Sequence, residues 1–199
     1  MANVSTVVFF FSLLKGCNTQ ISPAAIYCFK KALFLIHAIS IRFGSLSPPP
    51  FPIPDTRNIP IFSDNVLPSL LVHLGVIELP AESALSKLFP EATSAAKLDE
   101  LLAPALQTVA GADHVQNIPR EGARVTADQS YILRAAAIDA CELIIDTAQT
   151  LGATLLDRNP MWLSKLTLPD LDMWLWSAAK DRADYRALER FVDQNTIFF

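Results

Sequence analysis

Two acidic residues stand where their neighbours could give them chemistry to do. Asp64 follows Phe62-Ser63 and precedes the apolar run Val66-Leu67-Pro68-Ser69-Leu70-Leu71-Val72. A carboxylate at that point has two readings. Its oxygens can accept the open N–H groups of a helix's first turn, which stabilises the helix by about 1 kcal/mol. Alternatively, it can face a pocket and meet positive charge developing on a substrate. Asp172 is the second acid, and Trp176 and Lys180 follow it at i+4 and i+8 on one helical face. A carboxylate one turn from an indole suits recognition of a planar heterocycle, by hydrogen bond and by stacking. The plainer reading is a tryptophan half-buried at a helix edge. His37, His73 and His114 are scattered and read as packing or surface residues, not as a metal set. The chain contains no G-x-G-x-x-G, no P-loop, no H-E-x-x-H and no nucleophile elbow, so neither a metal nor a cofactor is expected.

The elements that would hold these residues follow from period and punctuation. Leu67, Leu70, Leu71 and Leu74 fall at helical spacing after a Ser63 or Asp64 cap, and Gly75 ends that helix. Before it, Ser22-Pro23 opens a helix that runs to Phe43, with Ile26, Phe29, Leu33, Ile36 and Ile39 on its apolar side and Gly44 as its stop. Six prolines between Ser45 and Pro60 exclude helix and central strand, leaving an extended connector that delivers the chain to Phe62 and Asp64. Leu85–Phe89 and Ala95–Val109 are weakly helical, and Gly111–Arg124 reads as a loop. Thr126 and Gln129 form a capping box for a long helix with the stripe Ile132, Leu133, Ala136, Ala140, Leu143, Ile144 and Thr147, reaching Gly152. The last helix starts at Thr167 with Pro169 and Asp170 in its first turn and carries Leu168, Leu171 and Leu175 on one face. Asn195–Phe199 is β-prone and is expected to form a short strand or tuck into the core.

Composition narrows the class. The 199 residues suffice for one domain with a full core, assigned to 22–199, with 1–21 fitting either a strand or a helix. A hydrophobic content of 51% prompts a search for membrane spans, but the most apolar run, Val7–Leu14, is far short of the roughly 20 residues a bilayer requires. No basic residue precedes that run to mark a secretory signal, so a cytoplasmic protein without a membrane partner is expected. A net charge of −4 argues against a surface that coats polymeric DNA or RNA. Cys17, Cys28 and Cys141 have neither disulfide nor zinc spacing, and the latter two read as small core residues. Val7–Leu14 and the Ser22–Phe43 stripe present more apolar surface than a short chain covers, which predicts self-association through the N-terminal quarter.

Five segments, taken in order, carry a family resemblance: Tyr27-Cys-Phe-Lys-Lys-Ala-Leu-Phe-Leu-Ile-His37, Phe62-Ser-Asp-Asn-Val-Leu-Pro68, Leu74-Gly-Val76, Ile132-Leu-Arg-Ala-Ala-Ala-Ile-Asp-Ala-Cys-Glu-Leu-Ile144 and Leu171-Asp-Met-Trp-Leu-Trp176. Together, over roughly Ser22 to Phe199, they resemble the fungal members of the queuosine salvage family, the queuosine 5′-phosphate N-glycosylase/hydrolases. The resemblance implies a mainly helical single domain reminiscent of the DNA-glycosylase fold. It also implies hydrolysis of the N-glycosidic bond of queuosine 5′-monophosphate, releasing queuine for reuse in tRNA modification. On that basis Asp64 is the expected catalytic residue, Asp172 the contact to the base, and Phe62 and Trp176 the walls of the pocket. A carboxylate suits the reaction, because breaking a ribosyl C–N bond builds oxocarbenium character at C1′ while the departing base needs a proton. The chain departs from the family's pattern at Ser177, where an acid is common, and at Val192 and Asp193, where the family has a basic pair. Only 63 residues precede Asp64, fewer than in the family, so a member shortened at its N-terminal side is expected. The alternative from another class is a non-catalytic helical scaffold or binding module.

Overall fold

Helix α2, Val66–His73, is buried at all eight positions, and the rest of the fold is arranged around it. The computed structural model describes residues 29–90, 92, 94–103, 121–154 and 161–193. In chain order these form α1 (Lys30–Phe43), α2, α3 (Ala95–Leu102), β1 (Glu121–Val125), α4 (Ala127–Thr154), α5 (Leu168–Asp181), α6 (Ala183–Arg186) and β2 (Arg190–Asp193). The fold is mainly helical with one short parallel two-stranded sheet, as the expected class requires at that level of detail. Among the described residues no helix is long and apolar enough to cross a membrane.

A helix that is apolar all round must be enclosed, and α2 packs against α4, α5 and β2. Its polar residues are enclosed as well. Asn65, Ser69 and His73 recur every fourth residue along one side. Asn65 Nδ2 donates to the Phe191 carbonyl at 3.0 Å, the Phe191 N–H donates to Ser69 Oγ at 3.3 Å, and His73 Nε2 donates to the Glu189 carbonyl at 3.1 Å. These side chains satisfy backbone groups at β2 that would otherwise present an open edge. The end of α2 is a Schellman motif: Gly75 has φ +67° and donates to the Val72 carbonyl, while the Val76 N–H reaches the Leu71 carbonyl at 2.9 Å.

The anticipated capping box at Thr126 is present, and a second one, not anticipated, opens the last helix at the expected Thr167. The Thr126 N–H donates to Gln129 Oε1 at 2.9 Å and the Gln129 N–H to Thr126 Oγ1 at 3.3 Å, while Thr167 and Asp170 exchange the same pair of bonds at the start of α5. The Pro-rich segment is a connector without helix or strand, and Gly44 donates to the Ser40 carbonyl as α1 ends.

Several expectations are corrected. Within α1 only His37 is buried; of the expected apolar side Phe29 and Ile36 are substantially exposed and Leu33 and Ile39 half-buried, and the neighbouring Phe34 and Leu35 are exposed as well. The helix therefore lies on the surface of the described residues; its expected first turns, 22–28, lie outside them, as does the segment 1–21. In α4 the buried stripe is Ser130, Leu133, Ala137, Ala140, Cys141, Ile145, Ala148 and Gly152, about one residue around from the expected one, and Leu143 faces outward. Small residues occupy that face because neighbouring backbone comes close there. Residues 121–125 are a strand, not loop. Glu121 pairs with Arg190 and Arg124 with Val192, so β1 carries one extra residue, a bulge at which Gly122 lies against the Arg190 backbone. The expected strand at 195–199 lies outside the described residues, and the C-terminal strand present here is β2.

Gly152 gives a prediction opposite to helix propensity. A Cβ placed on it would come within 2.6 Å of the Ser164 backbone nitrogen in the turn Leu163–Lys165 that packs on α4. Gly152→Ala gains about 1 kcal/mol of helix propensity but overpacks a backbone contact at a cost of roughly 1–3 kcal/mol. The expected outcome is a lower thermal midpoint, and a higher one would show that the turn yields without cost.

Candidate functional site

The four residues Phe62 to Asn65 are tied to four different elements. The Phe62 N–H donates to Asp172 Oδ1 of α5 at 2.8 Å. Ser63 Oγ donates to the Arg134 carbonyl of α4 at 3.3 Å. Asp64 forms an ion pair with Lys30, the first residue of α1, and Asn65 holds β2. This short stretch is thus the junction of the molecule, and residues distant in sequence meet there.

The expected Ser63 or Asp64 cap is not formed: Asn65 holds the N-cap position of α2 without a side-chain cap bond, and Asp64, one residue earlier, is tied to the helix mouth and placed for chemistry. Its Oδ1 accepts the Val66 N–H at 2.7 Å, the local bond that an Asp side chain makes to the backbone two residues on, while Oδ2 takes the Lys30 ammonium. The side chain is only 6% exposed against 26% for Lys30, so the carboxylate is held inside while its counter-ion reaches in from the rim.

Asp172 differs. Burial in α5 pushes its carboxyl up to about 6; the Phe62 N–H and the Lys30 charge work against that rise, and the charge of Asp64 adds to it. Two carboxyl groups therefore interact across Phe62 with different partners: Asp64 has a cation, Asp172 only a backbone N–H. An acid with its midpoint near 6 is protonated in about a tenth of molecules at pH 7 and in half of them near pH 6, far more often than an ordinary carboxyl, which is the condition for donating a proton.

Asp172 lines a mostly apolar cavity of about 340 Å³ together with Phe34, Phe62, Met173, Trp176 and Ser177; Asp64 is not in its lining and is linked to it by its ion pair with Lys30, which is. That is near the lower end of volumes usual for small-molecule sites, enough for one ring system. Phe62 is packed edge-on against Phe34, with ring centres 6.3 Å apart, and tilted against His37 at 6.0 Å. One face of the Trp176 indole is covered by the Lys180 ammonium, 3.6 Å from the ring centre, which fixes the ring that also borders the cavity.

Phe62, Asp172 and Trp176, chosen from sequence as pocket residues, therefore share one cavity, and Asp64 lies beside it. Ser177 lines it as well, at the position where the resemblance leads one to look for an acid. Val192 and Asp193 lie in β2 and are not among its lining residues. Sequence reasoning missed two features. Lys30 reads there only as a charge ahead of an apolar run, and no local signal marks Asp64, 34 residues on, as its partner. The second is His37, buried with Nδ1 2.9 Å from Thr56 Oγ1, which anchors the Pro-rich connector beneath α1.

Cys141 is fully buried in α4, and burial with the nearby Asp172 and Glu142 charges raises its thiol to about 12, so it is a packing residue rather than a nucleophile. No group of three or more His, Cys, Asp or Glu side chains among the described residues could hold a metal ion. Comparison of the chain with protein-family models, with curated proteins and with solved structures finds no match.

Proposed function

We propose that this chain hydrolyses the N-glycosidic bond of queuosine 5′-monophosphate and releases queuine. One observation carries the reading: two buried carboxyl groups with different partners, one ion-paired and one raised to about 6, flank Phe62 beside an apolar cavity walled by Trp176. In this scheme the base occupies the cavity against Trp176 and Phe62. As the C1′–N bond breaks, its electron pair goes to the base nitrogen, which takes the Asp172 proton. Asp64 offsets the positive charge spreading over C1′ and the ring oxygen. Water adds its oxygen to C1′ and gives up one proton, which restores the acid form of Asp172. The products are free base and ribose 5-phosphate, and no cofactor enters.

One observation favours the other class, a helical module without activity: Lys30 already neutralises Asp64. Incubating the folded chain with queuosine 5′-monophosphate separates the two. Free queuine and ribose 5-phosphate in equal amounts are expected, and a nucleotide that stays intact at stoichiometric protein contradicts the glycosidase reading.

A further inference from the structure

Lys30 stands on the partition between two cavities. It lines the 340 Å³ cavity together with Lys31, Asp172 and Trp176, and it also lines an adjoining one of about 370 Å³ bounded by Leu33, Tyr131 and Arg134. Phe62 is the other residue common to both. Three cationic side chains, Lys30, Lys31 and Arg134, thus border the paired cavities, and the charge of Lys30 is engaged by the carboxylate that the proposed reaction needs.

We propose that Lys30 is an exchangeable counter-ion: an anionic phosphate monoester entering these cavities draws its ammonium off Asp64, so that the carboxylate becomes available only when a phosphorylated substrate is bound. The inference rests on the glycosidase reading for its consequence, but not for the exchange itself. The asymmetry of the pair permits it. Asp64 is fixed at the helix mouth by the Val66 N–H and stays where it is, whereas Lys30 carries its charge on a flexible four-carbon stem that is partly exposed. Opening the pair without a ligand strands a buried charge and is costly. A phosphate monoester, with close to two negative charges at neutral pH and three acceptor oxygens, supplies the competing partner. The buried pair then keeps Asp64 quiet in the empty protein and makes the 5′-phosphate a condition of turnover, so the nucleotide is hydrolysed in preference to the nucleoside.

Inorganic phosphate binding, measured by titration calorimetry, tests the exchange without reference to hydrolysis. Phosphate and Asp64 compete for Lys30, so Asp64→Asn, which keeps the bond to Val66, is expected to bind phosphate about tenfold more tightly than the parent, a size usual for coupling between sites. Lys30→Met is expected to lose that binding, and also to bring hydrolysis of the nucleoside up towards that of the nucleotide. If Asp64→Asn binds phosphate no more tightly than the parent, or not at all, the proposal is overturned, and this variant remains decisive should Lys30→Met fail to fold. A parent that binds phosphate in this pattern yet releases no base refutes the glycosidase reading and supports the exchange. Base release with equal phosphate affinity in parent and Asp64→Asn does the reverse.

Discussion

Asp64→Asn is expected to lower the rate of base release by about a thousandfold while leaving the protein folded. An amide has nearly the shape of the carboxylate but no charge to offset the oxocarbenium ion, and losing one such preorganised electrostatic partner typically costs about 10²–10³ in turnover. Stability should fall by no more than about 1 kcal/mol. Asn makes the same local side-chain bond to the backbone two residues on, so its amide oxygen can still accept the Val66 N–H, and Lys30 is exposed enough to take its charge to water. Initial rates alongside thermal denaturation check both halves. Equal activity in the two proteins would reduce Asp64 to a structural residue that ties the helix mouth to Lys30.

Asp172→Asn should separate stability from activity. In the unfolded chain this carboxyl titrates near 3.8, and in the fold near 6, so the folded protein holds the proton more tightly. The stabilisation this gives is complete below the unfolded value and is lost as the pH rises through 6. The difference corresponds to as much as about 3 kcal/mol at pH 8, where the parent must bury an ionised carboxylate. An amide oxygen can keep the bond to the Phe62 N–H without ever ionising. The variant is therefore expected to be more stable than the parent at pH 8, with the advantage shrinking towards pH 4, as read from denaturant midpoints. It should also lose base release by about 10²–10⁴, the usual contribution of a positioned general acid. The parent's own turnover should decline as the pH passes above 6. A variant no more stable at pH 8 than at pH 4, relative to the parent, would show that Asp172 is not held as an acid.

What the sequence made legible was local. The capping box at Thr126 spans four residues, the start at Thr167 is marked by Pro169 and Asp170, Gly75 is the residue that the left-handed position after α2 favours, and the prolines of the connector forbid regular structure, so each can be read without knowing the rest of the fold. Phe62, Asp172 and Trp176 stood out by their places beside a helix start and on a helix face and by the resemblance, and they line one cavity. The partners of the site residues were not legible. Lys30 meets Asp64 across 34 residues and Phe62 meets Asp172 across 110, distances over which no periodicity carries information. The inward face of α4 also escaped, because apolar residues surround much of that helix. Its core side is set by where α2, α5 and the Leu163–Lys165 turn approach, and close approach favours Ala137, Ala140 and Gly152 over the larger Leu143. The strand β1 was hidden by its brevity and by a parallel partner on the far side of three intervening helices. In α1 the apolar residues suggested an inward stripe, yet the side facing the core carries His37, whose bond to Thr56 makes its burial tolerable.

The account depends on burial and the nearby Asp64 charge holding Asp172 as an acid, and the ionisation of Asp172 can be followed directly by ¹³C-detected NMR titration of the side-chain carboxyl. Asp172 is expected to titrate near 6 in the parent. In Asp64→Asn its midpoint should move down, because the negative charge that helps to raise it is gone. A carboxyl that titrates near the ordinary 3.8, with the same midpoint in both proteins, would contradict the arrangement and with it the assignment of Asp172 as the acid.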